Sequence, residues 1–364
     1  MFDEELFCAC SDAHAVSGHE GEMRNLFRRA LSGSGRIRTG ASGNIRCERG
    51  DGGPRVMLGA HMDEVGFLVQ CVLSNGLLSI VPVGGWWSHT LPGQRVAVRA
   101  RGGRRIPGVI AAQPPHFLSE AQKKAVLPME ALFIDVGAAS AEEAGEWGIA
   151  PGAPVVLEVK AVRLANPRRW MGKAFDNRAG FYTMLRVLRR LAGEKTPNTL
   201  MAVGTVQEEV GARGAKTLDP AELPDCAVIL EGPPADDSSG ASGDTFQGAL
   251  GGGVQIRAFD PTAIMNPALV ALACRTAREC GIPHQLAVRR SGGTDAGAVH
   301  LLGRGIPCVV LGIPVRYIHS HNGVVDEADL EAAEDLAVEL LRRLDAAAVA
   351  ALTDYDTLDR ALLS

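Results

Sequence analysis

Apolar positions recur at more than one spacing along this chain, and the changes of spacing divide it. Over 20–31 the apolar residues fall at helical intervals, and the run 55–60 (Arg-Val-Met-Leu-Gly-Ala) reads as a short buried strand. From about 65 to 166 the texture changes to short β-type runs at 65–73, 77–83, 94–100, 107–112, 131–136 and 155–159, separated by Gly, Pro and Asn. Their regular spacing predicts a small all-β domain. Beyond it the pattern alternates. A helix is expected at 178–191, where Phe181, Met184, Leu185, Leu188 and Leu191 share one stripe, and strands at 199–206, 226–230 and 308–313. A second helix is expected at 267–280, with Asn266 as N-cap, Pro267 at the first helical position and Gly281 as stop. The stretch 327–350 reads as an amphipathic helix. Helices alternating with strands predict an α/β domain. If the 55–60 strand joins the same sheet, the β-rich block 65–166 is an insertion into a discontinuous body made of 1–64 and 167–364.

Composition narrows the classes. At 364 residues the chain exceeds the roughly 150 residues of a typical domain. With 46% hydrophobic and 22% charged residues, disorder, coiled coil and collagen are excluded. A net charge of −5 gives no electrostatic reason to expect nucleic acid or an anionic membrane as partner. The acidic start, Met1-Phe2-Asp3-Glu4-Glu5-Leu6, is unlike a secretory leader, and no apolar run approaches the ~20 residues of a membrane helix. A cytoplasmic protein is expected. The 8 cysteines include no C-x-x-C pair, so reduced, mostly buried thiols are expected.

The chemistry concentrates where apolar runs end. Strand 55–60 leads into His61 and Asp63, strand 199–206 into Glu208 and Glu209, and strand 226–230 into Glu231; His319 and His321 follow strand 308–313. In open α/β sheets ligands bind beyond the carboxyl ends of the strands. Asp176, just ahead of a helix, is a fifth candidate. Two histidines with three carboxylates form a mixed N/O set suited to Zn²⁺ or Co²⁺, and the lack of a thiolate cluster argues against a structural zinc knot. Hydrolysis suits that set: two cations about 3.5–4 Å apart can hold a bridging water and polarise a carbonyl. Of two adjacent glutamates, one can then bind metal while the other faces the water. Each signal also has an ordinary reading, with Asp176 as part of a helix cap and Glu208-Glu209 as a solvated charge pair.

The segments Ala60-His61-Met62-Asp63-Glu64-Val65-Gly66-Phe67, Pro82-Val83-Gly84-Gly85-Trp86, Leu91-Pro92-Gly93-Gln94-Arg95-Val96 and Leu132-Phe133-Ile134-Asp135-Val136-Gly137 resemble the TET-type dinuclear metalloaminopeptidases. So do Ala174-Phe175-Asp176-Asn177-Arg178, Thr205-Val206-Gln207-Glu208-Glu209-Val210-Gly211, Gly292-Gly293-Thr294-Asp295-Ala296-Gly297-Ala298 and Arg316-Tyr317-Ile318-His319-Ser320. The resemblance runs over nearly the whole chain. It implies a mixed-sheet zinc-peptidase-like catalytic domain with an inserted β-rich dimerisation domain, PDZ-like or a small barrel. Asp176 would bridge two divalent ions, His61 and Glu231 completing one site and Glu209 and His319 the other. Glu208 would be the general base that activates a metal-bridging water, and Asp63 would hold His61 in its ligating tautomer. Substrates would be peptides with a free N-terminus, and dimers would assemble into a tetrahedral dodecamer.

Two positions depart from the family pattern. Glu231 stands where Asp is frequent, and His321 where Pro is usual; His321 is either a pocket residue or a surface substitution, the second being favoured. Trp86-Trp87 invites a sugar-stacking, glycosidase alternative, which would leave both histidines idle. A catalytically silent scaffold would have lost a ligand, and here none is missing. Neither Gly251-Gly252-Gly253 nor 211–217 completes a phosphate-loop pattern, so both are expected to be tight turns. Side-chain preference would rest on loops such as 238–253 and 291–294.

Overall fold

The computed structural model describes residues 2–50, 52–238 and 246–357. Among these, nine strands form one mixed sheet in the order Arg36–Thr39, Ile45–Arg49, Thr199–Thr205, Arg55–His61, Cys226–Glu231, Cys308–Gly312, Val254–Asp260, Ala263–Ile264, with His284–Val288 also pairing with Val254–Asp260. The middle four run parallel. Both their faces are covered, which is why they read as continuous apolar runs. Along Arg55–His61, Val56, Leu58 and Ala60 enter the larger core and Met57 the smaller one opposite, the two-residue alternation of a strand. On the larger-core face lie helices Phe175–Arg190, Pro267–Glu279 and Glu327–Arg343; the stripe of the first, Phe181, Met184, Leu185 and Leu188, is buried there together with its C-cap Leu191.

The expected β-rich block contains a closed antiparallel barrel of strands Gly66–Val72, Leu78–Val83, Phe133–Asp135, Arg105–Ala111, Arg95–Arg99 and Pro154–Leu157. It has its own interior, filled by Phe67, Val69, Leu78, Ile80, Val96, Val98, Ile110, Ile134 and Val155. The barrel strands end at Leu157. Val162–Arg163, within the 65–166 block, pair instead with Arg169–Gly172, which in turn pairs with Gly323–Asp326 of the body.

Asn266 caps the Pro267–Glu279 helix, its side chain accepting from Leu269 N. The single helix expected at 327–350 is two, Glu327–Arg343 and Ala346–Ala351: Leu344 leaves helical geometry, and Asp345 starts the second by accepting from Ala348 N. Gly251 and Gly253 form a turn with φ of +79° and +89°, and both their N–H groups donate to Asp329. All eight cysteines are free; Cys10, Cys47, Cys226 and Cys308 are buried and Cys280 is exposed. No helix among the described residues is long and apolar enough to cross a membrane.

Candidate metal centre

Parallel register brings the candidate residues to one edge. Thr205 pairs with His61, and Glu231 with Gly312, so these strands finish level with one another and open onto a common crevice. The His61 ring is buried. Its Nε2 lies 3.1 Å from Asp176 Oδ1 and 3.5 Å from Glu231 Oε1, while its Nδ1 faces the Asp63 carbonyl oxygen at 3.2 Å and Oδ1 at 3.4 Å. His319 presents Nε2 to Asp176 Oδ2 at 3.4 Å and Glu209 Oε2 at 3.3 Å. Asp176 therefore faces one imidazole with each oxygen. Two triads result, His61/Asp176/Glu231 and Asp176/Glu209/His319, the potential ligand atoms of each lying within 4.8 Å of one another.

Asp63, wholly buried, organises a second part of the crevice. Its carboxylate accepts from Glu208 N at 3.0 Å, Glu209 N at 3.1 Å and Ser17 Oγ at 2.6 Å. One side chain thus orients the His61 ring and fixes the backbone carrying both glutamates. Glu208 reaches the same space, with Oε2 4.0 Å from His61 Nε2. Asp176 does not serve as the helix cap: Asp176 and Asn177 have non-helical angles, and the side chain that caps the regular helix is Asn177, whose Oδ1 accepts from Gly180 N at 3.0 Å. Nor is Glu208-Glu209 a solvated pair, since the Glu209 side chain is 5% exposed.

The loops hold unusual geometry. Ala174, Gln207, Tyr317 and His319 have φ of 58°, 56°, 61° and 53°, a left-handed region that costs a non-glycine residue about 1–3 kcal/mol and clusters at functional sites. Each lies within two residues of a candidate group or is one. Glu64 supplies part of the compensation. It is buried and accepts from Lys173 Nζ at 2.7 Å, Arg178 Nη2 at 2.9 Å and Ala15 N at 3.0 Å. Lys173 and Arg178 bracket Asp176, so Glu64 ties that loop to the strand that delivers His61.

Electrostatics favour a bound cation. Burial pushes Glu209 up to about 7, helped by the Asp176 charge, and burial also raises Glu208 and Glu231. For His319, burial is outweighed by hydrogen bonds to Asp176 and Glu209, which hold it up to about 11. His61 moves the same way: burial opposes its charge, and Glu231, Asp176 and Asp63 overcome that opposition. Asp176 is held low, since its bonds to both histidines exceed the cost of burying it. Protons sit where a cation would neutralise the same carboxylates. Glu209 Oε1 is buried without a hydrogen-bond partner among the described residues, a lone pair free for a cation. The donor set fits divalent metal.

Residue-by-residue reading missed Glu64, Ser17 and Asp295. Asp295 is buried, accepts from Thr205 Oγ1 at the end of its strand, and is raised by burial to about 7. Asp295 and Glu64 both lie within the quoted motifs, the signal that could have marked them. His321 is half-buried, its Nδ1 lacks a hydrogen-bond partner among the described residues, and burial lowers its pKa. Of the loop expected to shape preference, 239–245 lie outside the described residues. The flanks are anchored: Asp236 accepts from Gln247 N and Gly248 N, and Asp237 from Arg316.

The family model described as M42 glutamyl aminopeptidase matches residues 43–336. A glutamyl aminopeptidase of Lactococcus lactis is 34% identical over 352 residues, covering 95% of this chain and 98% of its own. Among solved structures, a TET aminopeptidase from the marine sediment archaeon Thaumarchaeota archaeon SCGC AB-539-E09 superposes with a TM-score of 0.93 at 37% identity, covering 96% of this chain and 98% of its own. The TET1 peptidase of Pyrococcus horikoshii, described as assembling into a tetrahedron or a large octahedral shell, gives a TM-score of 0.84 at 32% identity, covering 93% and 98%.

Proposed function

The chain belongs to the M42 glutamyl aminopeptidase family and is a metal-dependent aminopeptidase, and we propose that His61, Asp176, Glu231, Glu209 and His319 hold two divalent ions for which Glu208 is the general base. The observation that carries this reading is the placement of Asp176, whose two oxygens each face a different histidine. Zn²⁺ or Co²⁺ suits the mixed imidazole and carboxylate set. Bound there, such ions supply Lewis acidity that polarises a peptide carbonyl and acidifies water.

The chain's own groups supply the rest. Glu208 stands beside a ligand yet belongs to neither triad, so its carboxylate is available to take a proton from the attacking water and deliver it to the leaving amine. Burial raises its pKa, moving it toward the value a base needs at neutral pH. Asp63 keeps His61 Nε2 aimed into the centre by occupying Nδ1. The glycosidase alternative leaves two histidines at 3.1 and 3.4 Å from Asp176 without a role.

The barrel serves self-association in this reading. It exposes Phe117, Val126 and Trp87, and carries a groove of about 580 Å³ lined by Val109, Pro114, Pro115, Leu118 and Leu127. Such an apolar surface suits a second copy of the chain, and dimers would build a dodecameric shell; one solved TET1 structure, 31% identical to this chain, is described as a dodecamer. A solution mass of a monomer would refute this part.

The catalytic reading is tested by assaying unblocked and N-acetylated peptides with and without Zn²⁺ or Co²⁺, beside Glu208→Gln. Cleavage that needs metal and a free amine, and falls about 10²–10⁴-fold in the variant, is expected. Activity that survives acetylation or the substitution would refute it.

A further inference from the structure

The barrel touches the metal centre through the turn that follows Leu78–Val83. A methyl group on Gly85 would stand 3.3 Å from Nδ1 and 3.6 Å from Cε1 of His319, and one on Gly84 3.3 Å from Glu209 Cβ. Such methyls would sit at or inside the ordinary carbon separation of about 3.5–4.0 Å, so the turn runs close beside both side chains with no spare room between. The far side of the turn is pinned to the barrel: the Trp86 ring stacks on Phe67 with centroids 5.0 Å and planes 14° apart, and its Nε1–H donates to the Gly66 carbonyl at 2.9 Å. Residues 84–86 therefore form a short strap that is fixed to the barrel and runs close beside two candidate ligands, with Val65 filling the space next to Gly84.

His319 needs such a support. A ligating imidazole is normally oriented through its second nitrogen, as Asp63 does for His61. Among the described residues no hydrogen bond reaches His319 Nδ1, and the ring is 32% exposed on a loop. Beside that edge of the ring runs Gly85, close enough that a methyl on it would touch Nδ1 and Cε1. We propose that the strap Gly84-Gly85-Trp86 is the positioning element for His319, with Gly85 limiting how far the ring can swing away from Asp176 and Glu209. The inserted barrel thereby completes one metal site as well as carrying an association surface. This rests on the ligand assignment made above.

The test is Co²⁺ titration of the chelator-stripped full chain, read by calorimetry and visible absorption, in wild type, Gly85→Ala, Trp86→Phe, Gly145→Ala and His319→Ala. Gly85→Ala is expected to take its first equivalent like wild type and its second at least tenfold more weakly, with an altered spectrum for that second ion and an unchanged melting temperature of the stripped protein. Trp86→Phe keeps the stack but loses the bond to Gly66, and should shift the second equivalent in the same direction by less; it decides the matter if Gly85→Ala does not fold. Gly145→Ala adds its methyl to open space and should match wild type. Wild-type affinity for the second ion in both strap variants would overturn the proposal, as would equal weakening of both ions with a lowered melting temperature. If His319→Ala still takes two equivalents, the ligand assignment falls too; if it takes one while Gly85→Ala takes two normally, only the positioning role falls.

Discussion

His61 and His319 face the same carboxylate from opposite sides, yet the two halves of the centre are held by different means. His61 is the last residue of a central strand, its ring buried and its second nitrogen turned to Asp63, which also fixes the backbone of Glu208 and Glu209. His319 sits on a loop with φ of 53°, partly exposed, and beside its second nitrogen runs Gly85 of the turn after the barrel strand Leu78–Val83, with no room for a methyl between them. The first half is built from ladder register and buried charge. The second depends on strained backbone and, in the proposal above, on the strap Gly84-Gly85-Trp86. One half should therefore resist perturbation until a buried group is removed, whereas the other should yield to small changes without loss of fold.

The largest effect that would break this contrast lies beneath the His61 half. Glu64→Gln leaves Lys173 and Arg178 buried beside a neutral amide, and removing one partner from a buried ion cluster costs about 3–5 kcal/mol. Denaturant unfolding of the metal-stripped chain should show that loss; a change below about 1 kcal/mol would mean the cluster does not brace the Asp176 loop. Next come His61→Ala and His319→Ala. Both should abolish peptidase activity. The first also leaves Asp63 and Asp176 short of a buried partner and should destabilise the stripped protein by about 1–3 kcal/mol; the second removes the pairing with Asp176 and Glu209 from a ring that is 32% exposed, and should destabilise it by less. Equal losses would erase the distinction.

The same contrast explains how much could be read from sequence. The His61 half was legible because an apolar run ending in His-Met-Asp is a local signal, and sheet register then carries it to Glu208, Glu209 and Glu231. The six barrel runs were legible because each buries a face. Arg36–Thr39 and Ile45–Arg49 were not, since Arg-Ile-Arg-Thr and Ile-Arg-Cys-Glu-Arg are too polar to announce strands that add to a sheet flank. Asp176 was ambiguous because an acid before a helix ordinarily caps it, and only a tertiary contact with both histidines separates the two readings. Glu64 and Asp295 escaped because polarity alone places a carboxylate outside; their burial depends on partners 109 and 90 residues away. His319 was marked by its place after the apolar run 308–313, but nothing local to it announced that a barrel turn would lie beside it.

A smaller effect sharpens the asymmetry of hydrogen bonding. Asp63→Asn keeps the size of the side chain but exchanges one acceptor oxygen for an amide, so Glu208 N and Glu209 N cannot both be accepted while His61 is oriented. A loss of about 10–100-fold in affinity for the ion of the His61 half is expected, read by competition with a chromogenic chelator, with the other ion less affected. Unchanged affinity for both would show that Asp63 is not the group that orients His61.

The gentlest probe is pH, because it changes no atom but hydrogen. In the stripped chain His319 is held up to about 11 and Glu209 up to about 7, so near neutral pH both sites carry protons that an ion must displace. Both groups are raised, so the sign is fixed: metal binding releases protons and affinity rises with pH. In the His319 half, above about pH 7 only the imidazole proton is displaced and affinity should rise about tenfold per pH unit; below it Glu209 must also lose a proton, and the slope should steepen toward a hundredfold. Replacing Glu209 by Gln would weaken binding but remove that break. Calorimetry across pH 6–8, in buffers of different ionisation enthalpy, counts the protons directly. A count of zero at pH 7 would show that the histidines and carboxylates of this half are not exchanging protons for metal.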